Sequence, residues 1–146
     1  MSDVEPFVLR RHMPPDDRLR EILAEAKTIA VVGLSSSPSR ASHGVARYLQ
    51  NHGYRIVPVN PHETEVLGEP AYPSLTDLPE KVDVVDVFRR PEYTVEVAEE
   101  AVKVGAKMFW LQSGIVNDEA ARIAREGGLD VVMDACMKIE HQRLGV

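Results

Sequence analysis

Apolar positions along the chain alternate between two spacings. Short unbroken apolar runs are separated by longer stretches in which apolar residues return every three or four positions. The run Thr28-Ile29-Ala30-Val31-Val32 typifies the first kind: it is β-branched or apolar throughout, as a strand buried on both faces of a parallel sheet requires. The segment ahead of it is of the second kind. Leu19, Ile22, Leu23 and Ala26 share one side of a helix, which opens after Pro14-Pro15 with Asp16 and Asp17, charges suited to the positive end of the helix dipole.

The alternation continues to the end of the chain. A helix over residues 44–51 carries Val45, Tyr48 and Leu49 inward and stops at His52-Gly53, and a strand over 55–59 ends in the turn Asn60-Pro61. A short extended piece follows around 69–72, and 82–88 reads as a third long strand. Pro91 suits the first turn of a helix over 92–104, where Val97, Ala101 and Val104 recur at helical spacing before Gly105. Residues 107–111 predict a strand, 117–126 a helix capped by Asn117 and stopped by Gly127-Gly128, and 129–133 the last strand.

Strands that alternate with helices imply right-handed crossovers and a mostly parallel sheet covered on both faces. The expected fold class is therefore α/β: a Rossmann-like, doubly wound sheet in a three-layer α/β/α sandwich. Residues 1–15 read as a polar lead-in and 16–146 as one domain, a division that suits a chain of 146 residues.

Composition narrows the function. With 44% hydrophobic and 27% charged residues the chain has the makeup of a packed domain rather than a disordered one. It contains no apolar run long enough to span a bilayer and no apolar signal-peptide core in its opening residues, so no membrane partner and a cytoplasmic location are expected. A net charge of −6 disfavours a general nucleic-acid surface. Cys136 is the single cysteine, which excludes an intrachain disulfide, and His12, His43, His52, His62 and His141 lack paired metal-ligand spacing, so no metal site is expected.

Any anion site must then be local, and the loop after the first strand supplies one. It reads Gly33-Leu34-Ser35-Ser36-Ser37-Pro38-Ser39-Arg40-Ala41-Ser42-His43-Gly44. In a doubly wound sheet, ligands bind beyond the carboxyl ends of the strands where the strand order reverses, usually beside the first strand. Gly33 permits a tight turn, serine hydroxyls and backbone N–H groups can donate to phosphate oxygens, the next helix presents its positive end, and Arg40 adds a forked cation. The nicotinamide fingerprint is missing. Position 35 is Ser instead of the second Gly, His43-Gly44 comes too late for the third, and the second strand ends in Val59-Asn60-Pro61 without a carboxylate. No Gly-Lys-Ser/Thr follows a glycine-rich run, so ATP hydrolysis of the Walker type is not expected either.

The stretch TIAVVGLSSSPSRASHGVARYLQNHGYRIVPVNP, from Thr28 to Pro61, resembles the small bacterial and archaeal CoA-binding protein family, which is related to the N-terminal CoA-binding domain of the succinyl-CoA synthetase α subunit. Three further pieces resemble that family in the same order: VDVVDVFRRP (82–91), WLQSGI (110–115) and DACMKIEH (134–141). The resemblance implies coenzyme A as ligand. By position, Gly33, Ser35, Ser36, Arg40, Ser42 and His43 would surround its phosphates and ADP part, and Val59, Asn60 and Pro61 would line the adenosine side. Phe88 and Arg89 leave the third strand at the same edge, where they could meet adenine, phosphate or the pantetheine arm; for Arg90 a ligand contact and a solvated strand end stay equally open. Gln112, Ser113 and Gly114 would close the next strand, Gly114 either letting backbone approach the ligand or making a left-handed turn.

In the synthetase a further domain carries a histidine that becomes phosphorylated, and no counterpart of that motif is read here. The expectation is a CoA-binding protein that holds CoA or an acyl-CoA at the carboxyl edge of the sheet without catalysis of its own, as a carrier, a sensor or the partner of an acyl-CoA enzyme. The alternative is a small acyl-CoA thioesterase or transferase using Cys136 or His43, or an enzyme acting on another nucleotide. No nucleophile and base stand at a telling spacing. Cys136 suits a buried inert thiol, Glu140 and His141 are neighbours that point apart on a helix, and Asp83 and Asp86 are unusual for a buried strand without an assigned role.

Overall fold

The computed structural model describes residues 13–146, so His12 and most of the lead-in lie outside the described residues. Its elements are α1 (Asp16–Glu25), β1 (Thr28–Val32), α2 (Ala41–Asn51), β2 (Arg55–Val59), β3 (Glu65–Val66), β4 (Glu69–Pro70), β5 (Val84–Val87), α3 (Thr94–Lys103), β6 (Met108–Leu111), α4 (Asp118–Glu126), β7 (Asp130–Val132) and α5 (Met137–Leu144). Five parallel strands form the main sheet in the order β2-β1-β5-β6-β7, while β3 and β4 pair with each other as a separate antiparallel hairpin.

The period of two along each strand builds the layers. Ile29, Val31, Val84, Met108, Trp110 and Val132 face one side with the apolar stripes of α1, α2 and α5. Ala30, Val32, Val85, Val87, Phe109, Leu111 and Val131 face the other, against α3 and α4. The chain leaves β1 through α2 on the first side, then returns from β2 past β1 to β5 by way of Leu75 on the second side. That reversal separates the loops after β1 and β5 and opens a crevice between them at the carboxyl edge.

Several boundaries differ from those expected. Helix α2 begins at Ala41, not at 44, because the turn closed by Arg40 N–H donating to Ser37 C=O completes the break after Pro38 and leaves Arg40 as the extended N-cap. The extended piece near 69–72 is β4, turned back on β3 through Leu67 and Gly68 at φ 55° and 80°, with Tyr72 bridging to Val59. Strand β5 spans Val84–Val87 because Asp83 serves another purpose: its carboxylate accepts from Lys27 N–H at 2.8 Å and Thr28 N–H at 3.1 Å, anchoring the start of β1. The polar tail forms α5, whose Arg143 pairs with Asp16 at 2.9 Å and so ties the last helix to α1.

Candidate functional site at the carboxyl edge

The end of β1 is built for close approach. Gly33 has φ 88°, a left-handed conformation, and a Cβ there would lie 2.4 Å from the Phe88 carbonyl oxygen. Its N–H donates to Val59 C=O at 2.8 Å, while Phe88 N–H donates to Val32 C=O at 2.8 Å. These bonds bring the ends of β2, β1 and β5 to one place.

Between the loops lies a cleft of about 510 Å³, lined by Gly33, Ser35, Arg40, Ala41, Ser42, Asn60, Phe88, Arg89, Arg90 and Ile115. The volume is that of a small-molecule site. Helix α2, of 11 residues, points its N-terminus at this space; His43 N–H already donates to Arg40 C=O at 3.1 Å, while the first N–H groups of the helix, those of Ala41 and Ser42, lie ahead of any intrahelical partner and the dipole favours an anion. Arg40 comes from that N-terminus, and Arg89 and Arg90 come from the loop after β5. None of the three makes an ion pair among the described residues, although Arg18, Arg55, Arg122 and Arg143 are all matched with carboxylates. Arg89 rests on the Tyr93 ring, 5.2 Å from its centroid, which leaves the guanidinium free to bond in its own plane. The cleft thus concentrates positive charge in a chain of net charge −6, a chemistry that suits an anion.

The serine loop is tied internally more than expected. Ser35 N–H donates to Ser42 Oγ at 3.1 Å, and Ser37 N–H to Ser35 Oγ at 3.0 Å. Ser36 donates from both N–H (2.9 Å) and Oγ (3.0 Å) to the carboxylate of Glu63. These bonds shape the loop; Ser35 Oγ and Ser42 Oγ accept in them and keep their O–H groups as donors at the cleft, beside the α2 N-terminus and the arginines. Asn60 is similarly occupied: its Nδ2 donates to Leu34 C=O at 3.0 Å and its Oδ1 accepts from His62 N–H at 2.9 Å.

Of the residues expected in the site, Gly33, Ser35, Arg40, Ser42, Asn60, Phe88 and Arg89 line the cleft. The others lie around it or beneath it. Ser36 is bonded to Glu63, His43 is one residue further into α2 than Ser42, Pro61 is exposed, and Val59 is buried in the core. Gln112 is buried and its Oε1 accepts from Met137 N–H at 3.1 Å, which fixes the start of α5. Ser113 is exposed, and Gly114, at φ 82°, donates its N–H to Asp134 Oδ1 at 2.7 Å in a left-handed turn. Ala41 and Ile115 also line the cleft and carried no signal in the sequence.

His141 and Glu140 are engaged elsewhere. His141 is buried, its Nδ1 shares a hydrogen bond of 2.8 Å with Tyr48 OH, and burial with the nearby His52 lowers its pKa below the usual value. Its sequence neighbour Glu140 pairs with Arg143 at 2.8 Å. Cys136 is half-buried at the N-cap of α5, against the layer that holds Trp110. A larger hollow, of about 690 Å³, opens beside β7, away from the carboxyl-edge loops; the Arg18 on its wall is already bound to Asp130 at 2.9 Å. No helix among the described residues is long and apolar enough to cross a membrane.

Comparison with known proteins places this architecture. Residues 27–142 match the model of the CoA binding domain family. A relative from Bacillus subtilis (strain 168), the uncharacterized protein YneT, is 46% identical over 128 residues, covering 88% of this chain and 95% of its own. Acetate--CoA ligase [ADP-forming] I of Archaeoglobus fulgidus is 25% identical over 127 residues, 80% of this chain but 18% of the ligase. Among solved structures, a hypothetical protein from Pyrococcus horikoshii OT3 superposes with a TM-score of 0.88 at 47% identity, over 91% of this chain and 94% of that one. Matched over most of its length in both sequence and fold, the chain belongs to the CoA-binding domain family, the succinyl-CoA synthetase-like group that its motifs resemble.

Proposed function

We propose that the protein holds coenzyme A or an acyl-CoA in the carboxyl-edge cleft and performs no catalytic step of its own. The observation that carries this reading is the set of three arginines, Arg40, Arg89 and Arg90, that line one cleft beside the α2 N-terminus without a carboxylate partner. A pyrophosphate seated there meets first-turn N–H groups and the Arg40 fork, the arrangement that charge-assisted phosphate binding favours. Asn60 and the end of β2 then flank the adenosine side, and Phe88 offers an apolar face to adenine or to the start of the pantetheine arm. Family membership supports coenzyme A over other anions. The absence of catalysis is supported by the engagement of His141 with Tyr48, Glu140 with Arg143 and Asp83 with the start of β1. A protein that presents CoA in this way suits an acyl-CoA enzyme as its partner.

Calorimetric titration with CoA and with NAD, on the wild type and on Arg40→Ala, tests the reading. The expected result is CoA binding, no NAD binding, and CoA affinity reduced roughly tenfold or more by the substitution, the loss of one charge-assisted contact. Binding of NAD with CoA silent would overturn it.

A further inference from the structure

The carboxyl-edge cleft has two unlike ends. Because the strands run β2-β1-β5-β6, Asn60 stands at one end and Ile115 at the other, with Gly33, Ser35 and the α2 N-terminus between them. The Asn60 end is polar. At the other end Ile115 has its main chain bonded within the protein: its N–H donates to Gln112 C=O at 3.0 Å and its C=O accepts from Asp134 N–H at 3.2 Å. What Ile115 offers the cleft is its aliphatic side chain, backed by the layer that packs on α3 and α4.

Two more apolar side chains adjoin that end. Among the described residues Tyr93, Val116, Ile139 and Val146 are the large apolar side chains left exposed. Ile139 and Val146 belong to α5 and the residues after it. Val116, 40% exposed, follows Ile115 directly, and Tyr93, 47% exposed, lies under the guanidinium of the cleft residue Arg89. The two loops that carry them are joined, since Asn117 Nδ2 donates to Pro91 C=O at 2.8 Å and Tyr93 N–H donates to Arg90 C=O at 3.0 Å. Exposed apolar side chains scattered singly are ordinary on a protein surface; apolar side chains grouped at the mouth of a charged cleft suit an apolar ligand group.

We propose that Ile115, Val116 and Tyr93 form a seat for the hydrocarbon chain of an acyl-CoA, so that the site prefers aliphatic acyl thioesters to free CoA. The proposal rests on the CoA reading of the cleft, and continuity with the cleft selects the occupant. A pyrophosphate at the α2 N-terminus lies over β1. From there to β6 is two strand spacings, about 10 Å, a reach that an extended pantetheine arm covers. With the nucleoside toward polar Asn60, the thioester end runs toward Ile115 and its acyl chain emerges beside Val116 and Tyr93.

The experiment is calorimetric titration of the wild type and of Val116→Ser with CoA, acetyl-CoA, butyryl-CoA and hexanoyl-CoA. Full burial of one methylene is worth about fourfold in affinity, and a half-open seat about twofold. The wild-type Kd is therefore expected to fall about fifteenfold from acetyl-CoA to hexanoyl-CoA. Val116 is exposed and outside the cleft lining, so Val116→Ser keeps the fold and the affinity for free CoA, with an unchanged thermal midpoint as the check, while the acetyl-to-hexanoyl gain shrinks about threefold or more. A wild-type Kd constant within about twofold across the series, a Kd that rises with chain length, or a gain that Val116→Ser leaves intact overturns the proposal while leaving the cleft assignment standing. Failure of CoA and of every acyl-CoA to bind the wild type overturns the cleft assignment and the proposal with it.

Discussion

Replacing Asp86 by Asn removes a titrating group from the middle of β5 with almost no change of shape, and the pH dependence of stability isolates what that group contributes. Asp86 lies between Val31 and Trp110 in the sheet register and is fully buried. Neither carboxyl oxygen has a hydrogen-bond partner among the described residues. Burial therefore raises its pKa well above the ordinary value of 3.8. In the unfolded chain the group regains that ordinary value. Above it the unfolded state releases a proton that the native state retains, so the native state binds more protons and stability falls as pH rises. The fall is limited to one proton, up to about 1.4 kcal/mol per pH unit, and continues until the pH passes the raised native value. Over two pH units inside that window the wild type loses up to about 2.7 kcal/mol relative to Asp86→Asn. Urea unfolding of both proteins at a series of pH values, at constant m-value, reads this difference directly because every other titrating group cancels. A difference that is flat with pH, or that favours the wild type as pH rises, would refute the assignment of a buried neutral carboxyl.

Two structural positions give further expectations. Gly33→Ala combines left-handed strain with a Cβ forced against the Phe88 carbonyl, so it should cost about 2–5 kcal/mol in denaturant unfolding; a loss below about 1 kcal/mol would show that the β1 and β5 ends can separate freely. Asn117→Ala removes both the α4 cap, in which Oδ1 accepts from Ala120 N–H at 3.1 Å, and the Nδ2 bond to Pro91 C=O at 2.8 Å. It should cost about 1–2 kcal/mol by the same measurement, and Asn117→Asp, which keeps the cap, should cost less.

Most of the scaffold was legible because it depends on local periodicity. The apolar run of β1, the one-sided stripe of α1 and the stops at Gly53, Gly105 and Gly127-Gly128 are each written within a few neighbouring residues, and each matches an element edge in the fold. The site was legible in part. Gly33, Ser35, Arg40 and Ser42 are neighbours on one loop, so placing that loop places them all. Gln112 shows what such reading cannot see: its amide oxygen accepts from the backbone of Met137, 25 residues away.

Sequence alone determined that strands alternate with helices, that the first strand ends in a glycine- and serine-bearing loop, and which family the chain resembles. These follow from spacing, residue shape and local capping, all short-range properties of a polypeptide. The tertiary structure decided the rest. It set the strand order that opens the cleft, brought Arg89 and Arg90 opposite Arg40, left Asp86 buried without a partner, and folded Glu63 onto Ser36 across 27 residues. Such outcomes turn on which distant groups meet once the layers pack, and whether a buried polar atom finds a partner is settled only by that meeting.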